Sequence, residues 1–259
     1  MIDAARLFRL DGEVAFITGA GAGLGRMAAE VLASAGATVI ATDRDAAAAE
    51  RTANTVQAAG GKAEAAALEV TDEAAVARVV GEAARRHGQI DILINNAGTS
   101  SRAAALEMKL ADFTRIMAIN VTGVFLCAQA CGQAMARRRK GAIVNLASIY
   151  GLSGSDLFPN LAYTTSKGAV VNMTRGLACE WGPLGIRVNA IAPTFTETDL
   201  TRPLIFDNKE LVAKLTERTP LRRLARPEDM AGAILYLSSP ASSLVTGVTL
   251  PVDGGWLAY

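Results

Sequence analysis

Short apolar runs alternate along the chain with longer, alanine-rich stretches of helical character. The runs Val14–Thr18, Thr38–Thr42, Ala63–Val70, Ile90–Asn95, Ala142–Leu146, Arg187–Ile191 and Val248–Val252 predict strands. Most are apolar almost throughout, as expected of strands whose two faces are both covered by helices. Between them the sequence predicts helices over Leu24–Ala35, Asp45–Ala59, Glu73–Arg86, roughly Ala111–Arg139, Ala162–Gly182 and Pro227–Leu237. Thr71 and Asp72 suit the start of the third. Arg226-Pro227-Glu228-Asp229 places proline and acids in the first turn of the last. The alternation predicts a single α/β domain over residues 1–259, built on a doubly wound parallel sheet. From Thr194 to Pro220 no clean period holds, and in this architecture such an excursion after a strand's C-terminal end lies over the ligand crevice.

The bulk properties narrow the class. At 259 residues, 51% hydrophobic and 20% charged, the chain can bury one large core. A net charge of +1 supplies no basic face, so neither nucleic acid nor an anionic membrane is expected as partner. The basic run Arg137-Arg138-Arg139-Lys140 precedes Gly141 and reads as a helix C-terminus with a glycine cap. Three cysteines, Cys127, Cys131 and Cys179, fit a reducing compartment, with Cys127 and Cys131 as core packing. The single histidine, His87, makes a zinc site improbable, and no metal is expected. No apolar run approaches the roughly 18–20 residues that span a bilayer. A polar N-terminus that runs almost at once into a strand leaves no room for a cleaved signal, so a cytoplasmic protein is expected.

Candidate chemistry centres on Tyr163 and Lys167, which share one helix face at i and i+4. A cation beside a phenol can lower its pKa by roughly 1–3 units from about 10, giving an acid/base that works near neutral pH. The first strand runs into Thr18-Gly19-Ala20-Gly21-Ala22-Gly23-Leu24-Gly25 and then a helix. The spacing is Gly-x-x-x-Gly-x-Gly, through Gly19, Gly23 and Gly25, and not the strict Gly-x-Gly-x-x-Gly. Glycines there let the backbone approach a pyrophosphate seated on the helix N-terminus. Asp43, at the end of the second strand, can accept hydrogen bonds from a ribose 2′-hydroxyl and repels a 2′-phosphate, which favours NAD over NADP. Arg44 beside it could tolerate that phosphate. Asp43 also suits a helix N-cap, a role Asp45 could take instead.

The ordered set Thr18-Gly19-x-x-x-Gly23-x-Gly25, Asn95-Asn96-Ala97-Gly98, Asn120, Ser148, Tyr163-x-x-x-Lys167, Ile186-Arg187-Val188-Asn189 and Val252-Asp253-Gly254-Gly255 resembles the short-chain dehydrogenase/reductase family over essentially the whole chain. The resemblance implies a seven-stranded Rossmann-type sheet, a nicotinamide cofactor and a homotetramer or homodimer. It implies Tyr163 as acid/base, Lys167 as its pKa-lowering partner and ribose donor, Ser148 as donor to the substrate oxygen, and Asn120 as the anchor of a water bonded to Lys167. Asn95, Ala97 and Gly98 resemble the segment along the adenine ribose, and Pro193 to Thr198, with Thr196 and Thr198, the stretch beside the nicotinamide carboxamide. Leu24, Val70 and Asn96 complete the cofactor contacts so implied. Two positions depart from the pattern: Glu69 stands where aspartate is usual, and Thr194 where glycine is usual, which makes Thr194 a candidate pocket residue.

The reaction these residues imply is hydride transfer between a secondary alcohol and NAD. The substrate contacts expected are Ser148, Tyr150, Tyr163, Thr194 and Phe195. The segment Ile149 to Gly154, with Ser153, and the loop from Phe195 to Asn208 are expected to line the pocket, together with Asn160. The C-terminal third, through Val252-Asp253-Gly254-Gly255-Trp256, looks most like the branch that oxidises sugars, polyols and aldonic acids such as gluconate. A 3-oxoacyl-thioester reductase is the alternative.

Overall fold

A computed structural model describes residues 3–100, 102–155, 157–199 and 201–258. Seven strands form one parallel sheet in the order β3-β2-β1-β4-β5-β6-β7: β1 Val14–Thr18, β2 Thr38–Asp43, β3 Lys62–Ala67, β4 Ile92–Asn95, β5 Gly141–Leu146, β6 Ile186–Pro193 and β7 Thr249–Val252. The expected doubly wound, Rossmann-type sheet is therefore present. Its order reverses between β1 and β4, which opens a crevice at the carboxyl ends of those strands.

Alternation along the strands builds two cores. Ala15, Ile17, Ile92, Ile94, Val144 and Leu146 face one way, onto α2 (Gly23–Ser34), α3 (Ala46–Ala58) and α9 (Ala231–Ser238). Val14, Phe16, Leu93, Ile143 and Val188 face the other, onto α4 (Glu73–His87), α6 (Gly123–Arg138) and α7 (Leu161–Trp181). Both faces being dry explains the nearly unbroken apolar runs. Asp45 caps α3 and Asp72 caps α4, each carboxylate accepting an amide from the first turn.

Several local expectations change. The helix expected over Ala111–Arg139 is α5 (Leu110–Met117), a π-helical turn over Ala118–Thr122, and α6. By length and composition, residues 110–138 would also suffice to cross a membrane, contrary to the sequence expectation. In the fold, Cys127, Ala128, Cys131 and Met135 of this stretch are fully buried in the second core. The left-handed residue that ends α6 is Arg139, at φ 51°, not Gly141, which already belongs to β5. The region 194–220 is less irregular than its sequence suggests. It holds a π-helical turn over Arg202–Phe206 and α8 (Lys209–Arg218), capped by the Asn208 side chain, which accepts from Leu211 N–H at 3.0 Å. A one-turn α1 (Ala4–Leu7), capped by Asp3, precedes β1. Before α9, Pro227–Met230 form a 3-10 turn, not the start of an α-helix.

Candidate active site

A cleft of about 480 Å³ opens where β1, β2, β4, β5 and β6 end. One end is a backbone cradle. Gly19 stands at φ +62°, and a Cβ there would come within 2.9 Å of Ala97 Cα; a Cβ on Gly25 would overlap the Gly19 carbonyl oxygen. The turn therefore packs as backbone on backbone, which only glycine permits. Asn96 locks it, donating from Nδ2 to the carbonyls of Thr18 (3.0 Å) and Gly19 (2.8 Å), while Thr18 Oγ1 accepts from the Asn96 and Ala97 amides. Gly19, Gly23, Leu24, Asn96, Ala97 and Gly98 line the cleft, and Gly25 lies behind them. Asn95 is buried and donates to Asn145 Oδ1 on the neighbouring strand at 2.9 Å.

Asp43 and Arg44 form the far wall with Glu69 and Val70. The Asp43 carboxylate accepts from the Gly21 amide and from the Asp45 amide, each at 3.0 Å. It is thus fixed against the glycine turn, and Asp45 takes the capping role. Glu69 is tied to its own turn, accepting from the amide and hydroxyl of Thr71 at 3.1 and 3.0 Å. The concave backbone, open space before it and an anchored carboxylate at its end fit a dinucleotide. Gly19, Gly23, Asn96 and Asp43 would hold the adenosine end, and Lys167, Pro193, Thr196 and Thr198 the nicotinamide end.

The other end carries the candidate reactive groups. Ser148 follows β5 and starts a tight turn, its Oγ accepting from the Tyr150 amide at 3.1 Å. Tyr163 and Lys167 project from the first turns of α7, and all three residues line the cleft. Lys167 Nζ stands 5.7 Å from the Tyr163 ring centre and donates to the Leu146 carbonyl at 2.6 Å. Lys167 is only 5% exposed, and burial lowers its pKa to about 8. Tyr163 is not depressed as expected. Burial raises it, and its hydrogen bond with Ser148 acts the other way. The Lys167 ammonium, meanwhile, is turned to the Leu146 carbonyl.

Asn120 is buried in the π-helical turn behind the cleft wall, with its amide accepting from Thr99 N–H (2.8 Å) and donating to Thr99 O and Ser166 Oγ (both 2.9 Å). Ser166 Oγ donates in turn to the Tyr163 carbonyl at 2.7 Å, so Asn120 braces the turn that carries Tyr163. The π-helical distortion puts that side chain where a regular helix would not.

Thr194, Phe195 and Tyr150 line the cleft as expected, and Thr194 Oγ1 is buried without a hydrogen-bond partner. Of the segment 149–154, only Ile149 and Tyr150 reach the cleft; Ser153 turns back to donate to the Ile149 carbonyl at 3.0 Å. Of the following loop, Glu197, Arg202, Pro203 and Phe206 to Asn208 lie outside it, and Leu200 falls outside the described residues. Leu204 and Ile205 of that loop do line the cleft, whereas Arg102 and Phe158 were not expected there. Arg102 lies over the Phe158 ring, 4.0 Å from its centre. Neither residue belongs to a regular element, so no periodicity announces them.

The chain resembles known proteins over nearly its whole length. Residues 19–257 match the family model described as enoyl-(acyl carrier protein) reductase. The chain is 41% identical to galactitol 2-dehydrogenase of Rhizobium johnstonii, over 97% of this chain and 98% of that one. It is 41% identical to gluconate 5-dehydrogenase of Gluconobacter oxydans, over 96% of each. The crystal structure of a gluconate 5-dehydrogenase from Burkholderia cenocepacia, in complex with NADP and tartrate, superposes with a TM-score of 0.94 at 36% identity, covering 99% of this chain and 100% of that one. The chain belongs to the short-chain dehydrogenase/reductase family and is an NAD(P)-dependent oxidoreductase acting on alcohols.

Proposed function

We propose that the chain oxidises a secondary alcohol of the sugar, polyol or aldonic acid class to the ketone, with NAD as its preferred cofactor. The observation that carries this is the placement of Ser148, Tyr163 and Lys167 in the same cleft as the glycine cradle and Asp43. The bound nicotinamide supplies the acceptor for the hydride. Ser148 and Tyr163 would hold the substrate oxygen, and Tyr163, in the phenolate form that Lys167 and the positive ring of bound NAD⁺ would favour, would take its hydroxyl proton. Oxygen charge develops between two donors already fixed in position, which lowers the barrier.

Asp43 supports NAD. Its carboxylate is anchored by two amides and cannot swing away, so a 2′-phosphate brought beside it meets a fixed negative charge. The Burkholderia relative is bound to NADP, and the preference proposed here belongs to this chain's own Asp43. At the substrate end, Arg102 favours an aldonate over a neutral polyol, because a guanidinium held over a ring can meet a carboxylate. The protein is proposed to act in the cytoplasm.

A spectrophotometric panel tests the reading. NAD⁺ and NADP⁺ are each paired with polyols, sugars, aldonates and simple secondary alcohols, with β-ketothioesters run in reverse. Turnover of a polyol or aldonate with NAD⁺ is expected. Preference for NADP⁺ would refute the role of Asp43, and preference for a ketothioester would move the substrate to the acyl-thioester class. Arg102→Ala is expected to raise KM for aldonates about tenfold and leave neutral polyols unchanged, the loss of one charge-assisted contact.

A further inference from the structure

Ile149, Tyr150, Phe195, Ile205, Leu215 and Trp256 form an apolar cluster separate from the two cores that clad the sheet, and Tyr163 packs against it. Its spine is a series of edge-to-face ring contacts. Trp256 meets Phe195 with ring centres 5.0 Å apart, Phe195 meets Tyr150 at 5.9 Å, and Tyr150 meets Phe158 at 6.1 Å. Such pairs add about 0.5–1.5 kcal/mol beyond area burial, and their geometry is orientationally specific. Tyr150, Phe158 and Phe195 line the cleft, whereas Trp256 does not and is buried behind Phe195.

On its other side Trp256 meets α8. The Arg218 guanidinium, in the last turn of α8, stands 4.5 Å from the Trp256 ring centre. The tail that carries Trp256 is itself fixed. The Asp253 carboxylate accepts from the Gly255 amide at 2.8 Å and the Leu257 amide at 2.9 Å, and the Leu221 amide donates to the Gly254 carbonyl at 3.1 Å. The C-terminal tail and the segment after α8 therefore clasp each other, with the indole wedged between the end of α8 and the substrate wall.

We propose that Trp256 is a positioning residue for substrate: it fixes Phe195, and through it Tyr150 and Phe158, and ties the seating of α8 to the shape the cleft presents to the alcohol. This rests on the alcohol-oxidising reading of the site. Removing the indole leaves a void beside Phe195 that the ring can move into, and small displacements of a positioning wall cost heavily in the alignment of a reacting group. The cofactor cradle at Gly19–Gly25 and Asp43 lies at the other end of the cleft and takes no part in the cluster.

The test compares wild type with Trp256→Ala, Trp256→Leu, Trp256→Phe, Phe195→Ala and the Trp256→Leu/Phe195→Ala double variant on the best alcohol of the panel. Trp256→Leu keeps apolar bulk should the alanine variant fail to fold. KM for the alcohol is expected to rise about tenfold or more in the alanine and leucine variants, with KM for the dinucleotide within about twofold of wild type and most of the loss restored in Trp256→Phe. The double variant is expected to be no worse than Phe195→Ala alone, because both act through one ring. Hydrogen exchange is expected to speed up over residues 201–221 and stay unchanged in β1 and β4. Unchanged alcohol KM, parallel rises in both KM values, additive effects in the double variant, or unchanged exchange over 201–221 would each overturn the proposal. A wild-type enzyme inactive on the whole panel would refute the reading of the site instead, and the exchange comparison would then decide the role of Trp256 alone.

Discussion

Lys167 shows how far a residue's surroundings can depart from what its neighbours in sequence suggest. The i, i+4 spacing placed it on the face of Tyr163, and it is there, but burial and a carbonyl partner determine its charge. Its folded-state pKa is lowered to about 8 from 10.5. Between those values the unfolded chain binds more protons than the folded one, so stability rises with pH across that window; the cost of burying the ammonium is full below about pH 8 and gone above about pH 10.5. That cost is about 3 kcal/mol, against about 1 kcal/mol for the hydrogen bond to Leu146. Lys167→Met is therefore expected to melt higher than wild type at neutral pH, with the difference closing toward pH 10.5. A lower melting temperature at every pH would show that the hydrogen bond outweighs desolvation. Tyr163 and Lys167 were legible as candidates from their i, i+4 spacing, and Ser148 from the family resemblance. The upward shift of Tyr163 was not, because desolvation is set by residues far away in sequence.

Among elements, legibility followed the strength of the local pattern. The strands and the long helices could be read, since both sheet faces are dry and each helix carries a wide apolar stripe. α8 could not, because Leu211 and Leu215 are nearly its whole apolar stripe and its cap, Asn208, sits in a stretch of mixed character. The π-helical turn around Asn120 leaves no sequence signal, since one extra residue in a helix preserves composition and nearly preserves period. The glycine turn was legible as spacing, and the structure supplies the reason: a Cβ on Gly25 overlaps the Gly19 carbonyl and reaches 2.5 Å from Asn96 Nδ2. Gly25→Ala is expected to push the turn apart and weaken dinucleotide binding at least about tenfold in a fluorescence titration, since the overlap is with backbone and cannot be relieved by a rotamer change. Retention of wild-type affinity would mean that the cradle is not the cofactor's seat.

At the scale of the whole molecule, the parallel sheet brings together groups from five strand ends that lie far apart in sequence, from Gly19 to Thr198. That convergence follows from the strand order within the doubly wound parallel sheet that the strand–helix alternation predicted. What the chain does with its remaining apolar surface is a matter of assembly. Leu106 is fully exposed, and Leu110 and Leu161 at the starts of α5 and α7 are exposed too. Covering such side chains with further copies would suit the homotetramer or homodimer that the family resemblance implies. Sedimentation at micromolar concentration is expected to give four chains per particle, and Leu110→Asp to give smaller species; a monomer in the wild type would contradict this. The proposed role of Tyr163 is to move the proton of the alcohol. Its most direct test is Tyr163→Phe, measured as single-turnover reduction of bound NAD⁺ by the best alcohol, with dinucleotide affinity measured alongside. The expected result is a rate at least about 10²–10³ lower with unchanged affinity, whereas a variant that keeps more than about a tenth of the wild-type rate would place the proton transfer elsewhere.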